Sequence, residues 1–282
     1  MSERPQLDTL SAEDIVLLLL AAEERVVPAA RARVVELAAG AELIAERMRA
    51  GGRLLFAGAG TSGRLAMAEA AELPGTFGLD RRLVQARVAG GAASTDRDED
   101  DLAGALDDVI WLAFTSDDVL VAVAASGRTP YTLAIAERAR DAGAAVIAVV
   151  NVAVSPLGAL ADIAVPVPVG EEVLRDSTRL TAGTAQKVVL NALTTTAMAR
   201  LGRVHGDLMI DVEGANAKLR DRTAMIVADI AGCTHEQAVS ALTACNGDAR
   251  AAVLQLSLGL TPSAAAERAA AHPSLRQALQ DS

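Results

Sequence analysis

The 282-residue sequence contains few aromatic residues and no excess of positive charge. Phenylalanine, tryptophan and tyrosine together make up 2% of the chain, and the formal net charge at pH 7 is −10. Proteins that bind nucleic acids use basic surfaces and stacked aromatic rings, so the composition argues against nucleic acid as a partner. A phosphorylated ligand would have to be held locally, by backbone N–H groups at helix N-termini and a few arginines.

Cysteine is also scarce. The two cysteines, Cys233 and Cys245, form neither a CxxC pair nor a ligand cluster, so we expect small buried side chains, no metal site and a reducing compartment. The sequence also lacks a signal-peptide pattern and any apolar run of about 18 residues. These absences predict a cytoplasmic protein with no membrane partner.

Apolar residues form 51% of the chain, which is enough for a large core. Short, continuous apolar runs alternate with helical patterns, as in strands that are buried on both faces. This predicts an α/β fold: a doubly wound, mostly parallel sheet with helices on both faces. We expect strands at 53–60, 83–88, 119–124, 144–151 and 161–170, and helices at 11–50 (two helices), 64–72, 131–142 and 183–201.

The pattern changes near residue 223. Short helical stretches there are separated by turn sequences, with Thr234 and Asp248 placed as N-caps. We therefore expect N-terminal helices at 1–50, packed on a main domain at 51–222, and a small helical bundle at 223–282. The bundle carries no cluster of residues that suggests chemistry.

Two loops follow predicted strands and precede predicted helices: GAGTSGR from Gly58 and ASGRTPY from Ala125. Free backbone donors and the helix dipole favour an anion at such positions, and hydroxyl side chains add further donors. Two ordinary strand-to-helix turns are the alternative. The candidate phosphate ligands are Gly60, Thr61, Ser62, Ser126, Gly127 and Thr129.

The first loop also matches GxGxxG, the fingerprint of dinucleotide-binding proteins. A nicotinamide-binding protein should carry Asp or Glu at the end of the next strand. Here that strand ends in RVAGG from Arg87, without an acid. The spacing therefore favours a phosphate over a dinucleotide.

Two groups of carboxylates are candidates for acid/base chemistry on a sugar. Glu72 precedes the helix-breaking sequence LPGT, and the segment TDRDEDD from Thr95 has five acids in seven residues. By composition, that segment is either a solvated helix N-terminus or a source of one catalytic carboxylate. No Ser-His-Asp pattern or histidine metal site is predicted, because the three histidines (His205, His235 and His272) lie outside the sheet region.

Five segments resemble the successive motifs of N-acetylmuramic acid 6-phosphate etherases, which belong to the sugar isomerase (SIS) superfamily. The resemblance runs in order and with similar spacing from about Leu7 to the C-terminus. The segments are GAGTSGRL from Gly58, EAAELPGTFG from Glu69, AASGRTPY from Ala124, STRLTAGTAQKVVLN from Ser177 and GDLMIDVEGANAKLRDR from Gly206.

The resemblance implies cleavage of the D-lactyl ether of N-acetylmuramic acid 6-phosphate during cell-wall recycling, without metal or cofactor, by a homodimer with sites near the subunit interface. It assigns Glu72 as the acid that protonates departing lactate and Glu99 as the base at C2. Other candidates for contact with this phosphorylated amino sugar are Arg64, Arg128, Glu172, Ser177, Arg179 and Lys187.

Two features depart from the family pattern. The usual Thr-Glu and Arg-Asn-Pro opening motif is not visible, and Arg179-Leu180-Thr181 stands where Arg-Met-Lys is common. The absent lysine removes a cation that could face an anionic group of the substrate. Two other functions remain open: a phosphosugar-binding regulator like the glucokinase regulatory proteins, and an aldose–ketose isomerase. The presence of both Glu72 and Glu99 favours the etherase over the regulator.

Overall fold

The computed structural model describes residues 5–91, 95–212, 214 and 216–281. None of the helices within these ranges has the length and apolar character that a membrane crossing requires. The chain divides into two compact units. Unit 1 comprises Met1–Ala70 and Gln85–Thr194, and unit 2 comprises Ala71–Val84 and Thr195–Ser282. The division predicted at residues 51 and 223 stays a prediction.

A five-stranded sheet forms the centre of the α/β fold. Its strands are β1 (Leu54–Gly58), β2 (Val84–Val88), β3 (Val119–Val123), β4 (Ala145–Val150) and β5 (Ile163–Pro166), in the order β2-β1-β3-β4-β5. The pairs β1–β3, β3–β4 and β4–β5 are parallel, which confirms the predicted sheet. Every residue of β1, β3 and β4 is buried, because helices cover both faces.

The helices of the described chain follow the predicted alternation. They are α1 (Ala12–Glu23), α2 (Val26–Arg31), α3 (Val34–Arg49), α4 (Gly60–Phe77), α5 (Leu102–Leu112), α6 (Pro130–Asp141), α7 (Pro156–Leu160), α8 (Thr181–Arg200), α9 (Ala217–Ala231), α10 (His235–Ala244), α11 (Ala249–Leu258), α12 (Pro262–Ala271) and α13 (Leu275–Gln280).

Two predicted helix boundaries were wrong. The N-terminal region has three helices rather than two, since turns at Glu24 and Ala32 separate the six-residue α2 from its neighbours. Helix α4 begins at Gly60 and continues through Pro74, whereas the sequence predicted a helix from 64 to 72. Proline removes one main-chain hydrogen bond without forcing the helix to end.

The sheet packs against helices on both faces. On one face, Leu55 of β1 and Leu120 of β3 share a buried cluster with Ile135 of α6. On the other face, a Cβ added to Gly40 of α3 would lie 3.6 Å from Ile147 Cδ1 of β4 and 2.8 Å from Leu193 Cδ1 of α8. Helix α3 therefore packs closely on β4 and α8 at Gly40.

Helices α9 to α13 form a bundle within unit 2. Its core is aliphatic, with Val227, Leu254 and Leu275 buried. Thr234 and Asp248 accept hydrogen bonds from the first turns of α10 and α11, which confirms both predicted N-caps. The first helix of the bundle, α9, starts at Ala217.

A buried ion pair joins the starts of β1 and β3. Asp118, 1% exposed, accepts from Arg53 Nε at 3.0 Å, Arg53 Nη2 at 2.6 Å and the Thr115 N–H at 2.9 Å. Burial opposes ionisation of this carboxyl, but the hydrogen bonds from Arg53 and the backbone outweigh that effect and hold its pKa below the ordinary value. The pair fixes the strand ends opposite the loops.

We expect Asp118→Asn to lower the free energy of unfolding by about 1.5–3 kcal/mol at pH 7, because Arg53, which is 23% exposed, loses a charged hydrogen-bond partner. Asp141→Asn is the control, since the exposed pair Arg138–Asp141 at 3.6 Å should contribute less than about 1 kcal/mol. Urea unfolding measures both. Because folding lowers the Asp118 pKa, its contribution is present above the pKa of an unfolded aspartate and is lost as the pH falls through the folded-state pKa. An effect of Asp118→Asn that stayed constant into acid would contradict this account.

Candidate active site

The two hydroxyl-rich loops lie side by side at the carboxyl edge of the sheet. Strands β1 and β3 are parallel neighbours, with Gly58 opposite Val123 at their ends. The chain leaves β1 toward β2 on one side and returns as β3 on the other, so this edge is the topological switch point of the sheet. Ligands of open α/β sheets bind in the crevice at such points.

Glycines shape the first loop. Gly60 has φ +52° at the start of α4, a conformation that favours glycine. A Cβ on Gly63 would lie 2.5 Å from the Gly58 carbonyl oxygen, so the helix packs directly on the end of β1. Thr61 and Ser62 are half-buried in the first turn of α4. Their hydroxyls and the free N–H groups of this 18-residue helix are suitable donors to an anion.

The second loop is built in a similar way. Gly127 has φ +61°, and a Cβ there would lie 2.4 Å from Ser155 Oγ. Ser126 is exposed, and its Oγ accepts a hydrogen bond from the Arg128 N–H at 3.2 Å. Thr129 precedes α6, and its side chain makes no capping hydrogen bond with the described residues of that helix. Both loops thus present hydroxyls beside a helix N-terminus.

The acidic segment contains side chains with different partners. Asp98 accepts from the Thr95 backbone N–H and hydroxyl, and those hydrogen bonds lower its pKa. Asp101 caps α5 by accepting from the Gly104 N–H at 2.9 Å. Glu99 instead lies against the first loop, where its Oε1 is 2.8 Å from the position of a Cβ on Gly60. Among these three carboxylates, Glu99 is the one placed at the loop.

The start of α8 also adjoins the first loop. A Cβ on Gly183 would lie 3.5 Å from Thr61 Cγ2. The carboxylate of Glu172 accepts from the N–H groups of Thr181 at 3.1 Å and Ala182 at 2.9 Å, and so caps this helix. The N-terminus of α8 is therefore capped by the carboxylate of Glu172. The first turns of α4 and α6 contain no acidic residue.

Comparison with known proteins identifies the family. The SIS domain family matches residues 22–151. An N-acetylmuramic acid 6-phosphate etherase of Rubrobacter xylanophilus is 41% identical to this chain over 97% of the chain and 92% of that protein. An etherase of Symbiobacterium thermophilum is 42% identical over 92% of this chain and 88% of that protein. The chain belongs to the N-acetylmuramic acid 6-phosphate etherase family.

A solved structure supports the fold of this family member. A phosphoheptose isomerase from Francisella tularensis superimposes with a TM-score of 0.52 at 20% identity, over 67% of this chain and 98% of that chain. At this level of identity the likeness concerns the fold alone.

Thr181, which stands where the resemblance leads us to expect a lysine, is 1% exposed at the first position of α8. Lys187, six residues further along α8, donates to Glu69 Oε2 at 2.6 Å, and Thr194 donates to Glu69 Oε1 at 2.5 Å. Glu69 is buried, so this cluster satisfies a carboxylate that would otherwise be costly to bury. A substrate contact of Lys187 stays a prediction.

The remaining candidates are more exposed. Arg64, Arg128 and Arg179 are exposed and Ser177 is half-buried. Glu72 is exposed in unit 2, where its carbonyl oxygen accepts from the Thr76 hydroxyl at 2.9 Å. The loops and Glu99 belong to unit 1. In the family-specific segment from Gly206, Glu213 and Ala215 lie outside the described residues.

The sequence analysis did not identify Asn151 and Gln186, which form a hydrogen-bond network at the start of α8. Asn151 ends the apolar run of β4, and its Nδ2 donates to the carbonyl oxygens of Val167 at 3.1 Å and Ala182 at 3.3 Å. Gln186, which is buried, donates to Asn151 Oδ1 at 2.9 Å. A single asparagine after an apolar run was the available signal. The network holds the head of α8 to the carboxyl edge of β4.

We expect Gly127→Ala to destabilise unit 1 by more than the about 1–2 kcal/mol that left-handed backbone costs a non-glycine residue, because the new methyl group would also collide with Ser155. Gly232→Ala is the control: Gly232 has φ +63° but nothing within 4 Å of its added Cβ. Urea denaturation compares the two variants. Equal losses would show that the contact with Ser155 does not restrict the loop.

Proposed function

We propose that the chain cleaves the D-lactyl ether of N-acetylmuramic acid 6-phosphate, giving N-acetylglucosamine 6-phosphate and D-lactate in cell-wall amino-sugar recycling. The observation that carries the proposal is the carboxylate of Glu99 beside a pair of hydroxyl-bearing loops, in a member of the etherase family. Incubation of the purified protein with this substrate, followed by measurement of D-lactate, tests it. No release of lactate would reject it.

The two loops bind the 6-phosphate in this proposal. Backbone N–H groups at the starts of α4 and α6, with the hydroxyls of Thr61, Ser62, Ser126 and Thr129, donate to the phosphate oxygens. Such local donors are needed because the formal net charge of −10 repels an anionic substrate. Arg64, Arg128 and Arg179 are the proposed cationic groups near the substrate.

The chemistry is an elimination followed by an addition. Glu99 removes the proton from C2 of the open-chain sugar, the C3–O bond breaks, and Glu72 protonates the departing lactate oxygen. Water then adds to the C2–C3 double bond, which returns a proton to C2 and a hydroxyl to C3. Atoms balance without a cofactor: ether and water become alcohol and lactate.

The etherase reaction is favoured over the two alternatives. A regulator needs no acid/base pair, and the two compared relatives are named as etherases rather than as regulators or isomerases. We place the reaction in the cytoplasm, because the sequence has no feature that requires an oxidising compartment.

We further propose a homodimer. Helix α5 exposes apolar side chains at four-residue spacing, Leu102, Leu106 and Ile110, the last being 75% exposed, with Trp111 beside them. Isolated apolar side chains are common on monomers, but a stripe along a helix is typical of an interface. Light scattering should give about twice the chain mass of 28.9 kDa.

The phosphate site predicts the behaviour of a double variant. Thr61→Ala with Ser126→Ala should weaken binding of N-acetylglucosamine 6-phosphate, since hydrogen bonds to a charged group contribute about 1.5–3 kcal/mol each. Calorimetry measures the affinity, with Thr196→Ala as a control that removes an exposed hydroxyl late in α8. Unchanged affinity of the double variant would exclude these hydroxyls from the site. The unphosphorylated sugar should bind poorly to every variant.

The two carboxylates should separate by role. Glu72→Gln should stop lactate release but allow exchange of the C2 hydrogen with solvent, because proton removal precedes C3–O cleavage. Glu99→Gln should abolish both, since an amide cannot accept the carbon-bound proton. NMR of the C2 proton in D2O, with lactate measured in parallel, follows both steps. Exchange by the Glu99 variant alone would reverse the assignment, and normal lactate release by either variant would remove that residue from the mechanism.

A further inference from the structure

The segment from Gly206 has no part in the proposed chemistry, yet its Asp211 lies in a cluster of charged groups within unit 2. Arg250 of α11 binds both carboxylate oxygens of Asp211, through Nε at 2.6 Å and Nη2 at 2.5 Å. Arg203 donates to the same carboxylate at 3.3 Å. The Asp211 and Arg250 side chains are 12% and 14% exposed. This bidentate pairing depends on the planar guanidinium, so lysine cannot reproduce it.

Arg250 connects Asp211 to other parts of unit 2. Its Nη2 donates to the Gly202 carbonyl oxygen at 2.8 Å, just after α8, and its Nη1 donates to the Pro273 carbonyl oxygen at 3.3 Å, between α12 and α13. The Arg250 guanidinium therefore links Asp211 to the residues just after α8 and to the turn between α12 and α13.

The backbone of Asp211 rests on the end of α4. Gly78 has φ +60°, and a Cβ there would lie 2.4 Å from the Asp211 carbonyl oxygen and 3.1 Å from its Cβ. Glycine is required at this position both by the backbone conformation and by the lack of space. Gly78 and Glu72 belong to the same short stretch of unit 2, Ala71–Val84.

Pro74 lies close to this contact, within the last turns of α4. Proline has no N–H to donate to the carbonyl four residues earlier, so the hydrogen-bond ladder of α4 is interrupted next to Glu72. Two other bonds lie in this turn: the Thr76 hydroxyl donates to the Glu72 carbonyl oxygen at 2.9 Å, and the Leu79 N–H donates to the Pro74 carbonyl oxygen at 3.2 Å. The contact of Gly78 with Asp211 is one long-range restraint on this turn.

We propose that Asp211, held by Arg250, is a positioning residue for Glu72, and that the C-terminal bundle acts on catalysis through this pair. The inference rests on the proposed function. Its consequence is selective: loosening the pair disturbs the acid that protonates lactate, while proton removal by Glu99 of unit 1 continues.

Asp211→Asn tests the proposal, since it preserves shape and removes the charge that Arg250 binds. We expect lactate release to fall at least about tenfold, as small displacements of a catalytic group cost that much or more, while C2 hydrogen exchange in D2O stays within about twofold. Arg250→Lys, which keeps the charge but not the bidentate hydrogen bonds, should lower lactate release less than Asp211→Asn does. Gly78→Ala, whose methyl group would displace the Asp211 backbone, should reproduce the selective loss.

Arg268→Gln is the matched control. Arg268 donates to the carbonyl oxygens of Ala278, at 2.6 Å, and of Asp281 at the end of the bundle. Its loss should lower the melting temperature without changing the ratio of exchange to lactate release.

Equal falls in exchange and release for Asp211→Asn, or no fall in either, would overturn the inference. If that variant does not fold, the same ratio in Gly78→Ala and Arg250→Lys decides. A wild-type protein that exchanged the C2 hydrogen and released no lactate, or did neither, would overturn the proposed function and this inference together.

Discussion

The parallel pairing of β1 with β3 is the constraint on which the candidate site depends. Because these strands are neighbours and β2 lies on the far side of β1, the turns after β1 and β3 must open at the same edge of the sheet. The glycines in both turns follow from that placement. Gly63 lets α4 start directly on the end of β1, and Gly127 lets the second loop pass Ser155. The ion pair Arg53–Asp118 fixes the opposite ends of the same two strands.

Placement of negative charge decides which helix N-termini are left for a ligand. Asp101 caps α5 and Glu172 caps α8 with their own carboxylates. Helix α4 begins with Gly60-Thr61-Ser62 and α6 with Pro130 after Thr129, and neither has an acid in its first turn. An acidic chain thus leaves two neighbouring helix dipoles available to an outside anion. Glu99 is an exception to this separation of charge: its carboxylate lies against Gly60 at the start of α4, and it is the base of the proposed mechanism.

The sequence predicted features that depend on local patterns. The five strands, the two loops and the caps at Thr234 and Asp248 follow from apolar runs and turn residues. The end of α4 was predicted wrongly because Pro74 was taken as a stop, although the rest of the helix and its tertiary contacts carry it to Phe77. Within the acidic segment, only the fold distinguishes the capping role of Asp101 from the position of Glu99, since both are acids in the same run.

Contacts between residues that are far apart in the sequence could not be predicted from local sequence patterns. Asp211 and Arg250 are 39 positions apart, and neither belongs to a pattern that indicates an ion pair. The pairing nevertheless links the bundle to the end of α4, within unit 2. In the proposed mechanism, the bundle influences the reaction through the backbone that it restrains. In this chain, that backbone includes the stretch of α4 with the interrupted ladder and Glu72. Glu99, which lies against a glycine of its own unit, has no such dependence on Asp211 among the described contacts. The two carboxylates of the proposed mechanism therefore differ in what holds them, and a change in the bundle should reach only one of them.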